Sequence, residues 1–502
     1  MHRYLHIVRS EAATAFVLGA FAVLGYAPFY LYPVTVLALA GLFRLWEHAP
    51  TARDAARLGF AFGIGLFGAG VSWIYISLHD FGGMPAVLAA LATAAFCAFI
   101  ALFPALAGWL TRKFAPFPVR GIVVSTLAVA SAWTLMEWVR GWILTGFPWL
   151  AVGYSQIPDS PLAGFAPLFG IYGVSLAAAI FASLLAAWHN QSSRKRIALV
   201  LVALWVAGAG LKHIAWTTPQ GDPVSISLLQ GNIAQDLKWR EDEAQHTFAT
   251  YFAMVKRSRA RLIVLPETAL PLLRDQVPAD YVAALAAHAQ SNGGDILIGV
   301  ANRKNTAAGR LYYNSMFSAG SSPEQGYSKF HMVPFGEFIP LKPLLGWIYK
   351  TLLHMPLVDL SPGHATQRPL SVAGQKVAVN ICYEDAFGEE IIRQLPEATL
   401  LVNASNVAWF GNSLAPHQHL QMSQARAMET GRMMLRATNT GATAIIGTDG
   451  SIQAQVPLFK LASLDSQAQG HVGTTPYVRW GNWPVISLIL LTLGLLWMRK
   501  KK

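Results

Sequence analysis

The chain has 502 residues, of which 54% are hydrophobic and only 13% are charged, and its formal net charge at pH 7 is +12. Ordinary soluble domains contain roughly a quarter charged residues, so this composition excludes a wholly soluble protein and indicates a membrane protein. The positive charge lies in short loops and in the C-terminal run 499–502, where it is typical of membrane anchoring, so we predict no nucleic-acid partner.

Apolar segments recur along the first 212 residues and once more near the C-terminus. A bilayer core requires about 20 mostly apolar residues per helix, and the first candidate, which begins at Glu11 without a clean cleavage site, is expected to be retained. The glycines of "GIGLFGAG" lie within one candidate span and predict close helix packing rather than a phosphate loop. The predicted spans cover eight segments: 11–26, 28–46, 58–78, 84–110, 122–144, 162–188, 196–212 and 484–498.

Arginine and lysine occur in alternate loops between these segments. The loops "LHDFGGMP" and "GYSQIPDSPLAG" contain neither residue. By the positive-inside rule, both termini face the cytoplasm and the segment between the last two spans lies outside. Glu137 and Arg140 are costly inside the fifth span and are expected to pair in the interior of the helix bundle.

Strand-like runs alternate with amphipathic segments between residues 213 and 480, which predicts an exterior α/β layered domain. The pair Asp449-Gly450 between apolar runs predicts a hairpin turn. We therefore divide the chain into a bundle (1–212), an exterior domain (213–480) and a final span with a basic tail (481–502). The predicted strands cover 224–233, 261–268, 295–302, 312–319, 375–385 and 398–406, and the predicted helices lie near 241–260, 279–291 and 415–431.

The exterior domain contains a single cysteine, Cys382, in the stretch "VNICYED". The other cysteine of the chain, Cys97, lies in the apolar run "AAFCAFIALF", so an intramolecular disulfide is geometrically implausible. A lone exterior thiol is either reactive or buried filler, and the cysteine by itself does not decide between them.

Two further charged residues follow predicted strands. Glu267 stands in "VLPETALP", and Lys329 opens "KFHMVPFGEFIP", which also contains Glu337. Side chains at strand ends commonly line a site in α/β sheets. Glu267 could take the proton of the Cys382 thiol and return it to a leaving group, and Lys329 could stabilise a thiolate and an oxyanion. This chemistry requires neither a metal nor a cofactor.

The motifs "LPET", "KFHMVPFGE" and "ICYE" resemble those of the nitrilase superfamily of carbon–nitrogen hydrolases. With seven spans before the domain and one after it, the chain resembles the apolipoprotein N-acyltransferase family of bacterial inner membranes. The resemblance covers the whole chain and includes "LLQGNIAQDLKW", "EWVRGWILTGFPWL", "NASNVAWFGNS" and "ARAMETGRMMLRATNTG".

The resemblance implies an exterior αββα sandwich and the last step of lipoprotein maturation, in a monomer without a cofactor. A cysteine thiolate would attack the sn-1 ester of a phospholipid, typically phosphatidylethanolamine, and form a thioester. The acyl chain would then pass, in a ping-pong order, to the α-amine of an S-diacylglyceryl cysteine on an apolipoprotein. The implied catalytic residues are Glu267 as base, Lys329 as oxyanion stabiliser and Cys382 as nucleophile, and the implied supporting residues are Trp239, Glu337, Tyr383 and Glu384.

The apolar segment 338–360 favours a lipid substrate independently of the resemblance. We interpret it as a lid on the outer leaflet with Trp347 and Tyr349 at its tip, and a plain core helix is the alternative. Trp409, in "NVAWFGN", has the same interpretation.

Two other functions remain open from the sequence. A membrane-tethered amidase would use the same three catalytic residues, and only the apolar lid and the fused bundle argue against it. A transporter is disfavoured because the spans show no internal repeat. His417 and His419 are two residues apart and would point to different sides of a helix, so no metal site is predicted there.

Overall fold

The computed structural model of the chain describes residues 2–114, 121–235, 241–307, 309–340 and 359–501. The chain divides into two compact units. The first comprises Met1–Tyr75, Ala86–Ile214 and Arg479–Lys502, and the second comprises Ile76–Pro85 and Ala215–Val478. The second unit thus includes a short segment from the first third of the chain, which the sequence assigned to the end of a span and the loop after it.

The first unit is helical, and a helix lies over each of the eight predicted apolar segments. Three described helical segments are long and apolar enough to cross a membrane, and the bent pair Ala52–Gly70 with Ile74–Phe81 would make a fourth. The apolar helices indicate a membrane protein, while the number of eight spans stays a prediction. The long helices are His2–Ala22, Tyr32–His48, Ala52–Gly70, Ala86–Phe114, Ile122–Arg140, Ala166–Ala186, Arg194–Leu211 and Trp483–Lys501.

Small residues allow the helix Ala52–Gly70 to pack closely against two neighbours. A Cβ atom at Gly63 would lie 2.8 Å from the Cα of Ala101, and one at Gly65 would lie 2.0 Å from the backbone oxygen of Phe16. Any larger side chain would force the helices apart. The prediction that these glycines serve helix packing is confirmed for Gly63 and Gly65, whereas a Cβ atom at Gly68 would meet nothing within 4 Å.

Glu137 and Arg140 are both buried within the first unit, so their predicted place in the bundle interior is confirmed. Glu137 accepts a hydrogen bond from the backbone N–H of Val152 at 2.8 Å. Arg140 Nη1 donates to the carbonyl oxygens of Phe147 and Trp149, each at 2.6 Å. These bonds tie the end of one helix to the loop that follows it, and a direct pairing of Glu137 with Arg140 stays a prediction.

The second unit is built on two large sheets and one small one. The strands are β1 (Thr217–Pro219), β2 (Val224–Gln230), β3 (Leu262–Val264), β4 (Leu270–Leu273), β5 (Asp295–Thr306), β6 (Gly309–Gly320), β7 (Gly326–Ser328), β8 (Leu370–Val372), β9 (Gln375–Ile381), β10 (Leu400–Ser405), β11 (Met434–Thr438), β12 (Ala444–Ile446), β13 (Ile452–Gln455), β14 (Ala462–Ala468) and β15 (His471–Gly473). The smaller of the two large sheets has the order β13-β12-β11-β10-β9-β8, and the larger has the order β14-β2-β3-β5-β6-β7, with β4 beside β5.

Alternation of side chains along the strands produces four layers. Leu228 and Val264 of the larger sheet pack against Val379 and Val402 of the smaller one in a core between the sheets. The outer face of the larger sheet packs on two helices, and that of the smaller sheet packs on a third. These helices are Glu241–Arg257, Ala279–Ser291 and Ala415–Thr430. The αββα arrangement of this domain is the one that the family resemblance implied.

Each predicted strand and helix of this domain has a counterpart in the structure, but the strand predicted over 261–268 covers only Leu262–Val264, and the strand before Cys382 also ends early. The strand predicted over 375–385 ends at Ile381, and residues Cys382–Ala386 form a 3₁₀ turn. The backbone N–H of Ile381 donates to the carboxylate of Glu384 at 2.6 Å, which caps the turn and ends the strand. The predicted hairpin turn at Asp449-Gly450 joins β12 to β13 and is also confirmed.

The first strands of the domain pair with its last strands. β14, near the C-terminal end, pairs antiparallel with β2, near the N-terminal end. β1 and β15 pair outside both large sheets, with Thr217 opposite Gly473. The chain therefore enters and leaves the domain at one place.

Candidate active site

Three loops that follow strands bring the predicted catalytic residues together. Lys329 directly follows β7, Cys382 directly follows β9, and Glu267 lies three residues beyond β3. Lys329 Nζ lies 3.8 Å from Glu267 Oε1 and 2.9 Å from the carboxylate of Glu337. Cys382 is partly buried and lies within electrostatic reach of all three charges.

Lys329 is a buried cation between two carboxylates, with a relative exposure of only 1%. Burial alone lowers the pKa of Lys329, but the charges of Glu337 and Glu267 outweigh it and raise the pKa above its ordinary value. The ammonium therefore stays protonated and can act as a fixed hydrogen-bond donor and positive charge in the site.

Glu267 is held by hydrogen bonds to both carboxylate oxygens. Asn314 Nδ2 donates to Oε1 and the backbone N–H of Asn406 donates to Oε2, each at 2.7 Å. Asn314 Nδ2 also contacts Glu337 Oε1 at 3.2 Å, so one amide bridges the two acids. Sequence reasoning missed Asn314, although a polar residue within the apolar strand sequence "YYNSMFSA" was a usable signal.

Cys382 occupies the left-handed region of backbone conformation, with φ of +53°. Such a conformation costs a residue other than glycine about 1–3 kcal/mol and persists only where the surroundings enforce it. The turn places the cysteine at the head of the 3₁₀ segment instead of in line with the strand.

The surroundings of Cys382 favour its protonated thiol form. Burial raises the pKa of the Cys382 thiol, the carboxylate of Glu267 raises it further, and the charge of Lys329 only partly opposes them. That Lys329 stabilises a thiolate and an oxyanion during attack stays a prediction. A nucleophilic sulfur requires a base that removes the proton during the attack.

Glu384 joins the segment that carries Lys329 to the strand that carries Cys382. Its Oε2 accepts from the end of β9, and its Oε1 accepts three bonds from residues 327–331. Burial raises the pKa of Glu384 to about 7, although the hydrogen bonds and the charge of Lys329 lower it. The four donors are the backbone N–H of Ile381 (2.6 Å), the Tyr327 hydroxyl (2.9 Å), and the backbone N–H groups of Phe330 (2.6 Å) and His331 (3.1 Å).

Tyr383, the other predicted supporting residue beside the cysteine, is buried among aromatic rings. Its ring centroid lies 5.1 Å from that of Phe387 and 5.7 Å from that of His331. His331 stacks on Phe387 at 3.6 Å. These ring contacts pack the turn against the loop that follows Lys329.

Trp409 is 37% exposed and lies beside the segment Ile76–Pro85. Ser77 Oγ donates to the carbonyl oxygen of Trp409 at 2.7 Å, and the ring of Phe81 lies 6.3 Å from the Trp409 ring. The lipid-facing role of Trp409 stays a prediction. Trp239, Trp347, Tyr349 and most of the segment 338–360 lie outside the described residues.

Family models match both parts of the chain. Residues 18–184 match the apolipoprotein N-acyltransferase N-terminal domain, and residues 225–473 match the carbon-nitrogen hydrolase family.

Curated relatives match the chain over nearly its whole length. An apolipoprotein N-acyltransferase of Nitrosomonas europaea is 56% identical over 95% of this chain and 95% of its own. One of Chromobacterium violaceum is 47% identical over 96% of this chain and 93% of its own. Among solved structures, the C. elegans NitFhit protein has a TM-score of 0.37 and 15% identity, over 54% of this chain and 65% of that chain.

Proposed function

This chain belongs to the apolipoprotein N-acyltransferase family, and we propose that its acyl donor is the sn-1 ester of a phospholipid, with phosphatidylethanolamine as the typical donor. The acceptor is the α-amine of the N-terminal S-diacylglyceryl cysteine of an apolipoprotein. The observation that carries this proposal is the cluster of Glu267, Lys329 and Glu337 around a strained, partly buried Cys382, in a chain with long apolar helices.

In the first half-reaction, Cys382 Sγ attacks the ester carbonyl carbon while Glu267 accepts the thiol proton. A base is needed because burial and Glu267 raise the pKa of the thiol. Lys329 stabilises the oxyanion that forms on the carbonyl oxygen. The C–O bond then breaks, Glu267 returns the proton to the lysophospholipid oxygen, and the acyl chain remains on Cys382 as a thioester.

In the second half-reaction, the acceptor amine attacks the thioester carbonyl. Glu267 accepts a proton from the attacking amine, the C–S bond breaks, and the proton passes to the departing Cys382 sulfur. The products are the N-acylated lipoprotein and the free thiol. Because the donor leaves as a lysophospholipid before the acceptor reacts, the two lipid-bearing substrates use the site in turn.

Three residues support this chemistry without exchanging the reacting proton. Glu337 lies 2.9 Å from Lys329 and keeps the ammonium in place and charged. Asn314 orients the carboxylates of Glu267 and Glu337. Glu384 fixes the distance between the Lys329 segment and the Cys382 turn through its hydrogen bonds to both.

We place the enzyme in the bacterial inner membrane as a monomer with eight spans, with both termini in the cytoplasm and the domain 213–480 in the periplasm. The alternation of basic loops supports this orientation. Trp347, Tyr349 and Trp409 are proposed to contact the lipid chains, with the segment 338–360 as a lid, and Trp239 is proposed as a supporting residue. Trp409 is the described member of this set and is partly exposed, as such a contact requires.

The deciding experiment is mass spectrometry of the Cys382 peptide from the purified full chain after incubation with phosphatidylethanolamine and no acceptor. The lipid carries different acyl chains at sn-1 and sn-2, so the added mass identifies the position used. We expect a hydroxylamine-labile acyl group of the sn-1 mass on Cys382, and a diacylated lipopeptide should discharge it.

Two variants serve as controls in this experiment. Cys382→Ser should carry no hydroxylamine-labile acyl group, and Cys97→Ala, which removes the other cysteine, should behave like the wild type. An unmodified Cys382 in folded wild-type protein would refute the phospholipid donor and would leave amide hydrolysis by the same residues as the activity to test.

A further inference from the structure

A row of polar side chains crosses the smaller sheet beneath the Cys382 turn. Asn380 on β9 stands opposite Asn403 on β10, and Asn403 stands opposite Arg436 on β11. The row lies on the face that packs against the helix Ala415–Thr430, since Leu401, two residues before Asn403, belongs to the core on that side. A polar row in this layer is unexpected, because the residues two positions earlier on each strand, on the same face, are Ala378, Leu401 and Met434 of the apolar core.

Arg436 is the centre of this row and is fully buried. Its Nη1 donates to Asp385 Oδ2 at 2.9 Å, to Asn403 Oδ1 at 2.8 Å and to Ser423 Oγ at 2.9 Å. Among the described residues, its Nε and Nη2 atoms have no partner. A buried charge with unsatisfied donors is weak support for stability, because an apolar side chain of similar volume often serves as well.

Asp385 lies between Arg436 and His419 and accepts a hydrogen bond from each of them. His419 Nε2 lies 2.5 Å from Asp385 Oδ1 and 3.1 Å from the carbonyl oxygen of Cys382. Both neighbours are acceptors, so Nε2 carries the proton and donates to both. Burial and the charge of Arg436 lower the pKa of His419, although the charge of Asp385 opposes them, and the net shift favours the neutral ring with its proton on Nε2.

The carbonyl group of Cys382 is therefore held by two donors. One is His419 Nε2, and the other is Asn403 Nδ2 at 3.1 Å. Both donors are bonded, directly or through Asp385, to Arg436. The strained backbone of Cys382, with φ of +53°, is thus anchored through its carbonyl oxygen.

We propose that Arg436, Asp385 and His419 are positioning residues that hold the Cys382 turn in the geometry needed for attack. This inference rests on the proposed function, in which Cys382 is the nucleophile. None of the three residues exchanges a proton with the substrate. They enforce the left-handed backbone at Cys382, and without them the peptide can relax and carry the sulfur away from Glu267 and Lys329.

Arg432 provides a matched control for a purely structural role. It is also a fully buried arginine in the same part of the chain. Among the residues that the structure describes, the acceptors of its guanidinium are all backbone carbonyl oxygens, those of Ala398, Thr430, Gly431, Pro396 and Gly473. Loss of Arg432 should lower stability without a selective effect on Cys382.

The test compares R436M, D385N and R432M in the full chain, purified in detergent. Three quantities are measured for each folded variant: the rate of Cys382 acylation at saturating phosphatidylethanolamine, the lipid concentration at half-saturation, and the rate of Cys382 alkylation by iodoacetamide. Alkylation involves no phospholipid, so it reports on the turn even if the proposed donor is wrong. Melting temperature identifies effects that are only on stability.

We expect R436M and D385N each to lower the saturating acylation rate about 100-fold, the effect of a displacement of about 1 Å. The half-saturating lipid concentration should stay within about threefold of the wild type, because the lipid-binding surfaces are unchanged. The double variant should be no more than about threefold slower than either single one, since both residues act through one carbonyl. R432M should keep the wild-type acylation and alkylation rates in its folded fraction.

The pair H419Q and H419L decides the matter if R436M fails to fold. H419Q keeps a side-chain N–H donor and should keep most of the acylation rate, while H419L should lose it. Acylation and alkylation rates within about threefold of the wild type in D385N, or equal losses in H419Q and H419L, would overturn the proposal. We expect the alkylation rate of Cys382 to fall in R436M, D385N and H419L. If it falls in these variants while wild-type Cys382 is not acylated, the proposed donor alone is refuted.

Discussion

The hydrogen bonds of Glu384 make a quantitative prediction for the variant Glu384→Gln. A glutamine is the same size as glutamate, but its amide presents an NH₂ donor where one of the two acceptor oxygens was. Oε1 of Glu384 accepts three bonds and Oε2 accepts one, from the backbone N–H of Ile381. The less costly orientation keeps the amide oxygen at the Oε1 position and turns the NH₂ group toward Ile381.

The expected cost follows from that orientation. One hydrogen bond to a charged acceptor is lost, which is worth about 1.5–3 kcal/mol, and the buried Ile381 N–H then faces another donor. Taking about 2 kcal/mol, the melting temperature should fall by roughly 4–8 °C for a domain of this size. The acylation rate of the folded fraction should fall as well, because Glu384 also sets the distance between the Lys329 segment and the Cys382 turn.

The measurement is thermal unfolding of the purified full chain at pH 8, where the Glu384 carboxylate is ionised, together with the acylation rate of the folded fraction. Tyr327→Phe removes one of the four bonds and should have a smaller effect. Glu389→Gln removes a negative charge from an exposed neighbour and should change stability by less than about 0.5 kcal/mol. A fall in melting temperature below about 2 °C with an unchanged acylation rate would refute the role assigned to Glu384.

Three further predictions concern other parts of the molecule. Burial lowers the pKa of His419 below its ordinary 6.5, so below about pH 6.5 the unfolded chain binds a proton there that the folded domain does not, and stability falls with acidification. H419Q should therefore lose less free energy of unfolding than the wild type between pH 7.5 and 5.5, whereas a change at the exposed His364 should leave this slope unaltered. Asn314→Leu should lower the acylation rate about tenfold to hundredfold, because Glu267 and Glu337 lose a shared donor, and Asn305→Leu, exposed on the same hairpin, should not. Arg140→Met should lower the melting temperature by several degrees, because the buried carbonyl of Trp149 and the partly buried carbonyl of Phe147 lose their donor. The exposed Arg194→Met should leave the melting temperature unchanged, and an unchanged value for Arg140→Met would contradict the prediction.

The sequence was informative about the residues that stand at the ends of strands. That Glu267, Lys329 and Cys382 lie close together could be predicted because each follows an apolar run, and strand ends meet at one edge of a layered sheet. The same periodicity predicted the strands and helices of the domain. It could not predict the protonation of Cys382, since the pKa of a thiol depends on burial and on neighbouring charges from three separate loops.

The support beneath the turn was out of reach of sequence reasoning for a different reason. Arg436 and Asn403 become neighbours only through the register of β10 and β11, which the printed order of residues does not specify. His419 was considered only as a metal ligand with His417, whereas its partner in the structure is Asp385, 34 residues earlier. Buried polar contacts of this kind are set by tertiary packing, and local patterns carry little information about them.

The pairing of β1 with β15, and of β14 with β2, has a consequence for folding of the domain during its synthesis. β2 lies between β3 and β14, so one edge of this early-synthesised strand has no partner until nearly all of the domain has left the ribosome. Until then, it presents the unpaired backbone groups that invite association with other chains. Conversely, the entrance and exit strands are neighbours, so the strand that begins the domain finds its partner only when the last strand of the domain is made.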